Sequence, residues 1–585
     1  MTVERVLIYP CGKAASWFAT GSLKHVEKSA TKMYVAATRE DMNRRPDDAE
    51  DLRRYDGGMS IKITMYSVGL GAAMLLEFRR SDRTVRVLTD GGDAGAGIRV
   101  ADEVAAALGP VGAAVGPVGG AVGPAQPLDL VIGTHYDEDH LDGLTELVSR
   151  GVTIPVREIW LPPVADDTLS GSGPTDVTGR APKDEDTLAT RFAAEEGREA
   201  FGAYLRDKAA TLDQLDEFEQ MFDLRSGTDE PDADSFRDLR GRDEALGLTR
   251  FRRVRGAARR RLAVSGVEHL SGGDVLETGA LATHARYVWH LSRRDVGPME
   301  RLRFATRGPG EGPLLEMAVA SIRNAVCTDA INAGALIRLI EALRARPGIR
   351  RRQIWCEEGQ PIEFGFDGAS GRFDRRSVRG PGPRLTLLGP TERLVAERRD
   401  ILPVGILTMT RLHPYERLKN LTDSNQLSYV VRFDHEEQGV LITGDTGFDG
   451  FAVGSDSVRR YYPQMVHHLR DLSVIQVPHH GGICRHFYRV LDDAGFPQRS
   501  KPVYLLLSHE QGSAHRPSDQ FMNYAASLGT GHPARLLFTA MPRADKANEL
   551  RNLAESATIA PGALFGDAVL EFDSTWRVVL HSVQL

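Results

Sequence analysis

The 585 residues suffice for about three or four domains of ordinary size, or for one large domain carrying insertions. With 41% hydrophobic, 26% charged and 7% aromatic residues, the chain can bury a substantial core, and global disorder is excluded. A formal net charge of −7 excludes a protein that coats nucleic acid through bulk charge, while leaving room for a local basic groove.

In chain order, residues 1–58 read as an N-terminal extension, with strands expected at Val6–Tyr9 and Lys32–Ala36 before a charged close. Its opening run, MTVERVLIYPCGKAASWF, has mixed charge and no long apolar segment, unlike a secretory signal. Residues 59–165 change character. SIKITMYSV alternates, AAMLLEF is continuously apolar, and TVRVLTDGG ends a third strand in a glycine turn. A helix is expected over Val100–Leu108. The uncharged stretch Val104–Leu128 is long enough to span a membrane, but GPVGAAVGPVGGAVGP fills it with helix breakers and makes it a loop. LDLVIGT is then a buried strand, LDGLTELV a helix and VREIWLP a strand.

Residues 166–348 read as a mainly helical insertion. EDTLATRFAAEEGREAFGAYLRDKAATLDQLDEFEQMF is a long amphipathic pattern, and LLEMAVASIRNAV with INAGALIRLIEALRA reads as packed helices. FRDLRGRDEALGLTRFRRVRGAARRRL is arginine-rich, read first as a solvated helix face and second as a phosphate-binding surface. Residues 349–585 return to strands at RRQIWCEEGQPIEF, PRLTLLGP, LSYVVRF, GVLITGD, VIQVPHH, PVYLLLSH, AVLEFD and WRVVLHS. Strands in both halves, each with helices, predict an α/β fold of two sheets packed face to face with helices outside. The four cysteines, Cys11, Cys327, Cys356 and Cys484, stand far apart without a CxxC pair, so a reducing, cytoplasmic setting is expected, with no membrane partner.

Chemistry concentrates at strand ends. His135, Asp137, Asp139 and His140 arrive within six positions after an apolar strand; in an extended loop, His135 and Asp137 share a face and can grip one ion while Asp139 and His140 turn toward a second. Asp445 follows another strand in a Gly-Asp-Thr-Gly turn, where it could bridge two cations. His479 and His480 end a third strand, and His509 with His515 a fourth. A charged turn with a capping aspartate would account for one such cluster, but not for histidines and aspartates recurring at the same topological position.

THYDEDHLDGL, ITGDTG and VPHHGG, in this order, resemble the metallo-β-lactamase fold, most closely the hydrolase domain of ComEC/Rec2-type competence proteins. SVGLGAAMLLEF with VLTDGG, RLTLLGP with SNQLSYVVRF, and AHRPSDQFMNYAASLG extend the resemblance over roughly 60–165 and 350–585. It implies an αββα sandwich, elaborated here by the extension and the insertion, and two divalent metal ions, zinc or manganese with magnesium as a third option. Asp137 stands where many members carry a second histidine, which makes the site harder. Leu70 and Ala72 replace the polar residues of the family's usual VGQGDA, and the histidine that many members place between the first motif and the bridging aspartate has no equivalent; Asn425 is chosen for that region over Asp423 and His413. No transmembrane helices like those of full-length competence channels are expected.

The metal ligands implied are His135, Asp137, Asp139, His140, Asp445, His479 and His480, with the choice between the last two open. Asp139 and His515 are the catalytic candidates, and His509, Arg516 and Asn425 would contact substrate. The expected activity is phosphodiester hydrolysis of DNA or RNA by a metal-activated water, served by a basic groove from Arg485 and Arg516, or from Arg240, Arg242, Arg250, Arg252, Arg253, Arg255, Arg259, Arg260 and Arg261. Two alternatives remain: a hydrolase of a small ester or phosphoester, and an effector or scaffold subunit of a multi-protein system, for instance in antiphage defence, whose extension or insertion engages a protein partner.

Overall fold

The structure, a computed structural model, describes residues 60–80, 83–109, 126–151, 154–161, 192, 195–221, 244–264, 311–399, 423–453, 460–484, 486–513, 516–529, 531–551, 553 and 565–581. All lie in the second of the two units into which the chain divides, Met59–Leu585. The two strands expected in the N-terminal extension fall outside the described residues.

Sixteen strands among the described residues form two mixed eight-stranded sheets. The first contains β1 (Ser60–Met65), β2 (Met74–Arg79), β3 (Thr84–Thr89), β4 (Leu130–Ile132), β5 (Glu158–Trp160), β6 (Arg350–Arg352), β15 (Ala568–Phe572) and β16 (Trp576–His581), in the order β16-β15-β1-β2-β3-β4-β5-β6. The alternation in SIKITM buries Ile61, Ile63 and Met65 and leaves the residues between them half-exposed. The second contains β7 (Ile362–Asp367), β8 (Arg372–Asp374), β9 (Arg384–Gly389), β10 (Val430–His435), β11 (Gln438–Ile442), β12 (Leu472–Gln476), β13 (Val503–Leu507) and β14 (Ala534–Phe538), in the order β14-β13-β12-β11-β10-β9-β7-β8. Here β11 to β14 run parallel, and LSVIQ and VYLLL are buried at every position, as strands covered on both faces must be.

The sheets share one apolar core. Phe78 of the first lies 5.8 Å from Phe433 of the second, centroid to centroid, and Trp160 lies 5.4 Å from Phe364. The run RRQIWCEEGQPIEF, read as one strand region, divides between the sheets: β6 closes the edge of the first and β7 enters the second. β8 and β14 were not anticipated.

Helices share apolar clusters with strands of each sheet. α1 (Ala94–Leu108) starts six residues earlier than expected, because Asp93 Oδ1 accepts from Ala96 N at 2.7 Å and caps it. With α2 (Glu138–Ser149), α3 (Gly197–Met221), α4 (Thr249–Val264) and α5 (Glu311–Arg344), it belongs to one apolar cluster that includes residues of the first sheet; α3 and α4 pack against α5. α5 is a single 34-residue helix where two were expected, since nothing between Ala325 and Ile331 breaks it. Shorter helices follow: α6 (Glu392–Arg399), α7 (Asp423–Gln426), α8 (Pro463–His467), α9 (Phe487–Asp493), α10 (Asp519–Ser527) and α11 (Ala544–Leu550). Of these, α8, α9, α10 and α11 bury apolar residues against the second sheet.

His435, at the end of β10, is 4% exposed and stands edge-on to Phe78. Burial, and secondarily Arg80, pushes its imidazole down to about 4 from the ordinary 6.5. The folded chain therefore keeps His435 neutral through a window in which the unfolded chain takes up a proton. Its burial contributes fully above pH 6.5, and stability is lost as pH falls from 6.5 toward 4, by about 3 kcal/mol in all. His435→Leu should flatten that part of the profile, checked by urea unfolding midpoints at pH 7.5 and 4.5; an undiminished pH dependence in the variant would refute the assignment.

Candidate metal centre

The parallel strands set the site. β3 and β4 end side by side in the first sheet and β11, β12 and β13 in the second, each opening its C-terminal turn toward the same place. After β4 come Thr134, His135 and the start of α2; after β11, Asp445; after β12, His479 and His480; after β13, His509.

Two groups of ligand atoms converge, each mutually within 4.8 Å: His135, His140 and Asp445, and Asp139, His140 and His480. His140 Nδ1 is held at 2.9 Å by Asp90 Oδ2, leaving Nε2 to face the cluster, 3.3 Å from His480 Nε2 and 3.7 Å from Asp445 Oδ1. The other oxygen of Asp445 lies 3.3 Å from His480 Nε2. One imidazole nitrogen serves one ion, so Asp445, which turns separate oxygens to His140 and His480, is the group suited to bridging.

Burial works against charge on His140, but Asp90 and then Asp445 outweigh it and push the imidazole up to about 10. The reciprocal effect of His480 and His140 overrides burial at Asp445 and holds its carboxyl well below the usual range. His135 goes the other way: full burial, then the charge of His140, keeps it neutral. Its Nδ1 meets Thr134 Oγ1 at 3.1 Å, while its Nε2 is buried with no hydrogen-bond partner among the described residues. An orphaned, neutral imidazole nitrogen beside carboxylates is what a divalent cation would satisfy, and the mixed nitrogen and oxygen donors fit zinc or manganese.

Asp137 lies at the edge of this cluster, Oδ2 3.8 Å from His135 Nε2. Burial, followed by the neighbouring charge of Asp139, pushes it up to about 8. His479 and His480 both have left-handed backbones, with φ of 52° and 51°, and their side chains diverge. His480 joins the ligand group, whereas His479 Nε2 lies 2.9 Å from Arg516 Nη2. Of the two candidates, His480 lies in a group that could hold an ion and His479 lies beside Arg516. Burial, then Arg516, pushes His479 down to about 3.

His509 is fully buried with both ring nitrogens unpartnered among the described residues, and burial, then the charge of His480, pushes it down to about 3. Arg516 Nη1 is likewise buried without a partner. Asn425 is outside the ligand groups: it sits in α7, its carbonyl accepting from Ser428 N, and Ser428 Oγ accepts from Asp445 N at 3.2 Å. His515, His413, Arg240, Arg242 and Arg485 lie outside the described residues.

The arginine-rich helix is corrected in part. On α4, Arg252 and Arg255 point inward, 5% and 8% exposed, and pair with Glu138 at 2.8 and 2.7 Å; Arg250 pairs with Asp213 and Arg259 with Asn324. Arg253 and Arg260 are exposed. The arginine pair overrides burial and pushes Glu138 down to about 2.

Asp90 was not singled out from sequence. Fully buried with φ of 56°, it accepts from Thr134 N and Oγ1, both at 2.7 Å, and from His140. Its only signal was an aspartate before the glycine pair that ends β3. In the SVGLGAA loop, Gly71 presses on the Asp139 carbonyl at a φ of 126°, where a Cβ would collide, and its own carbonyl accepts from Ser508 Oγ. Comparison with protein-family models, curated proteins and solved structures finds no match to this chain.

Proposed function

We propose that this chain is a metal-dependent hydrolase built on an αββα metallo-β-lactamase sandwich, and that it cleaves phosphodiester bonds in DNA or RNA. The observation that carries the reading is the convergence of buried His135, His140, Asp445 and His480 with half-buried Asp139 beyond the strand C-termini, with a nitrogen on His135 unpartnered among the described residues. His135, Asp137, His140 and Asp445 would hold one divalent cation, and Asp139, His480 and the second oxygen of Asp445 another. Cations in such a pair act as Lewis acids toward a phosphoryl oxygen and acidify water.

The rest is the work of side chains. Asp90 fixes the ring of His140, so the ligand field is set before substrate arrives. Arg516, with a free buried Nη1, and the unpartnered ring of His509 offer donors to phosphoryl oxygens. Asp139, in the second ligand group, would orient the nucleophile. Among the described residues no helix is long and apolar enough to cross a membrane.

The test is cleavage of labelled linear and circular, single- and double-stranded DNA and RNA with manganese, magnesium or zinc. Metal-dependent cleavage is expected. A folded, metal-loaded protein that leaves every nucleic acid intact yet hydrolyses a small aryl ester or phosphoester would overturn the substrate assignment. Arg516→Ala should raise KM by about tenfold while kcat stays within about threefold, as for a contact made equally in ground and transition states. A fall in kcat at unchanged KM would assign Arg516 to the transition state instead.

A further inference from the structure

Among the side chains of the insertion that meet the start of α2, Asn332 touches Asp137 itself. Asn332, in the middle of α5 and 2% exposed, donates Nδ2 to Asp137 Oδ1 at 2.6 Å and accepts from Glu138 N through Oδ1 at 3.2 Å. The second contact fixes which end of the amide is which: only its oxygen can take a backbone N–H, so its nitrogen must face the carboxylate. Asp137 is the N-cap residue of α2, where an aspartate ordinarily folds back to accept from the first turn. Here its side chain makes no such bond. Asn332 supplies an acceptor to the helix end in its place, and Asp137 is left with one oxygen held by Asn332 and the other 3.8 Å from the orphaned His135 Nε2. On the same turn, Arg252 and Arg255 draw Glu138 away from the cluster.

We infer that Asn332 is a positioning residue for the metal centre: α5 of the insertion caps α2 in trans and so frees and aims the Asp137 carboxylate at the ion beside His135. The inference rests on the metal-site reading above. It assigns the insertion a part in building the site, in addition to whatever it does for substrate or partners.

The test uses the full-length chain, stripped of metal and titrated with manganese and cobalt in competition with a chelating dye. Asn332→Asp keeps an acceptor for Glu138 N but, ionised, has no hydrogen to give Asp137 and sets a second carboxylate against it; Asn332→Leu loses both contacts. Arg338→Lys is the control, because Arg338 ties α5 to Asp142 of α2 at 2.7 Å without touching Asp137. Both Asn332 variants are expected to bind metal about 10- to 100-fold more weakly, the usual size of a second-layer effect. Their cobalt absorption spectrum should shift as a carboxylate ligand is lost, while Arg338→Lys stays within about threefold of wild type with an unchanged spectrum. Asn332→Asp with wild-type affinity and spectrum, or an equal loss in Arg338→Lys, would overturn the inference and leave the metal site standing. A wild-type chain that binds no metal would overturn the underlying reading instead.

Discussion

Replacing Asp445 with alanine is expected to abolish metal-dependent cleavage, by at least about 1000-fold or ~4 kcal/mol of transition-state stabilisation, and to lower the metal retained after dialysis from two ions toward one or none. The size follows from position. Among the described residues, Asp445 turns one oxygen toward His140 and the other toward His480, at 3.7 and 3.3 Å, so its loss would remove a donor from both of the proposed ion sites. The loss also strips the cluster of a negative charge that supports the proton on His140, leaving Asp90 as its near partner. Asp445→Asn keeps the shape and one neutral oxygen and should fall between wild type and alanine. His135→Ala, which removes one nitrogen from one group, should cost one ion first. Elemental analysis and single-turnover cleavage decide the matter; a residual rate above a tenth of wild type in Asp445→Ala would refute the bridging role.

The parts of this arrangement that were legible in the sequence are those where local pattern and chemistry coincide. THYDEDH packs four donors behind an apolar run, and the same strand-then-donor pattern recurs at Asp445, His480 and His509, so their common location could be argued without coordinates. What was not legible depends on distance or on single backbone torsions. Asn332 and Asp137 are 195 residues apart, and an asparagine within a helix carries no local mark of what it will touch. The separation of His479 from His480 follows from two consecutive left-handed residues, which side-chain identity does not announce. Arg252 and Arg255, three apart, share one helix face, but whether that face meets water or a glutamate depends on what packs against it. At α5, two apolar runs, LLEMAVASIRNAV and INAGALIRLIEALRA, read as two helices, whereas the four residues between them continue one 34-residue helix.

Gly143→Ala should have the second large effect, and it separates packing from ligand chemistry because Gly143 contributes no donor atom to the site. The turn between β3 and α1 lies directly on α2: Gly91 N donates to His140 O at 2.9 Å and Gly143 N to Gly92 O at 3.0 Å. A Cβ on Gly143 would overlap the carbonyl of Gly91, and one on Gly97 would overlap the Gly143 backbone, so the two segments meet main chain to main chain. Helix propensity alone favours alanine over glycine by about 1 kcal/mol. Against it stand about 1 to 3 kcal/mol for overpacking and ~1 kcal/mol for each hydrogen bond the displaced turn gives up. The turn carries Asp90, whose bonds to Thr134 and His140 depend on its place. Overlap wins, with a net loss of about 3 kcal/mol or more and a weaker metal site. Gly95→Ala is the comparator, since its Cβ would meet only Asp93 Oδ1 at 3.5 Å, and it should be neutral or slightly stabilising. Unfolding midpoints and metal titrations of the two variants read out the difference. Equal stability would mean that the glycine contact does not hold Asp90 against His140, and the rigidity of the ligand field would need another source.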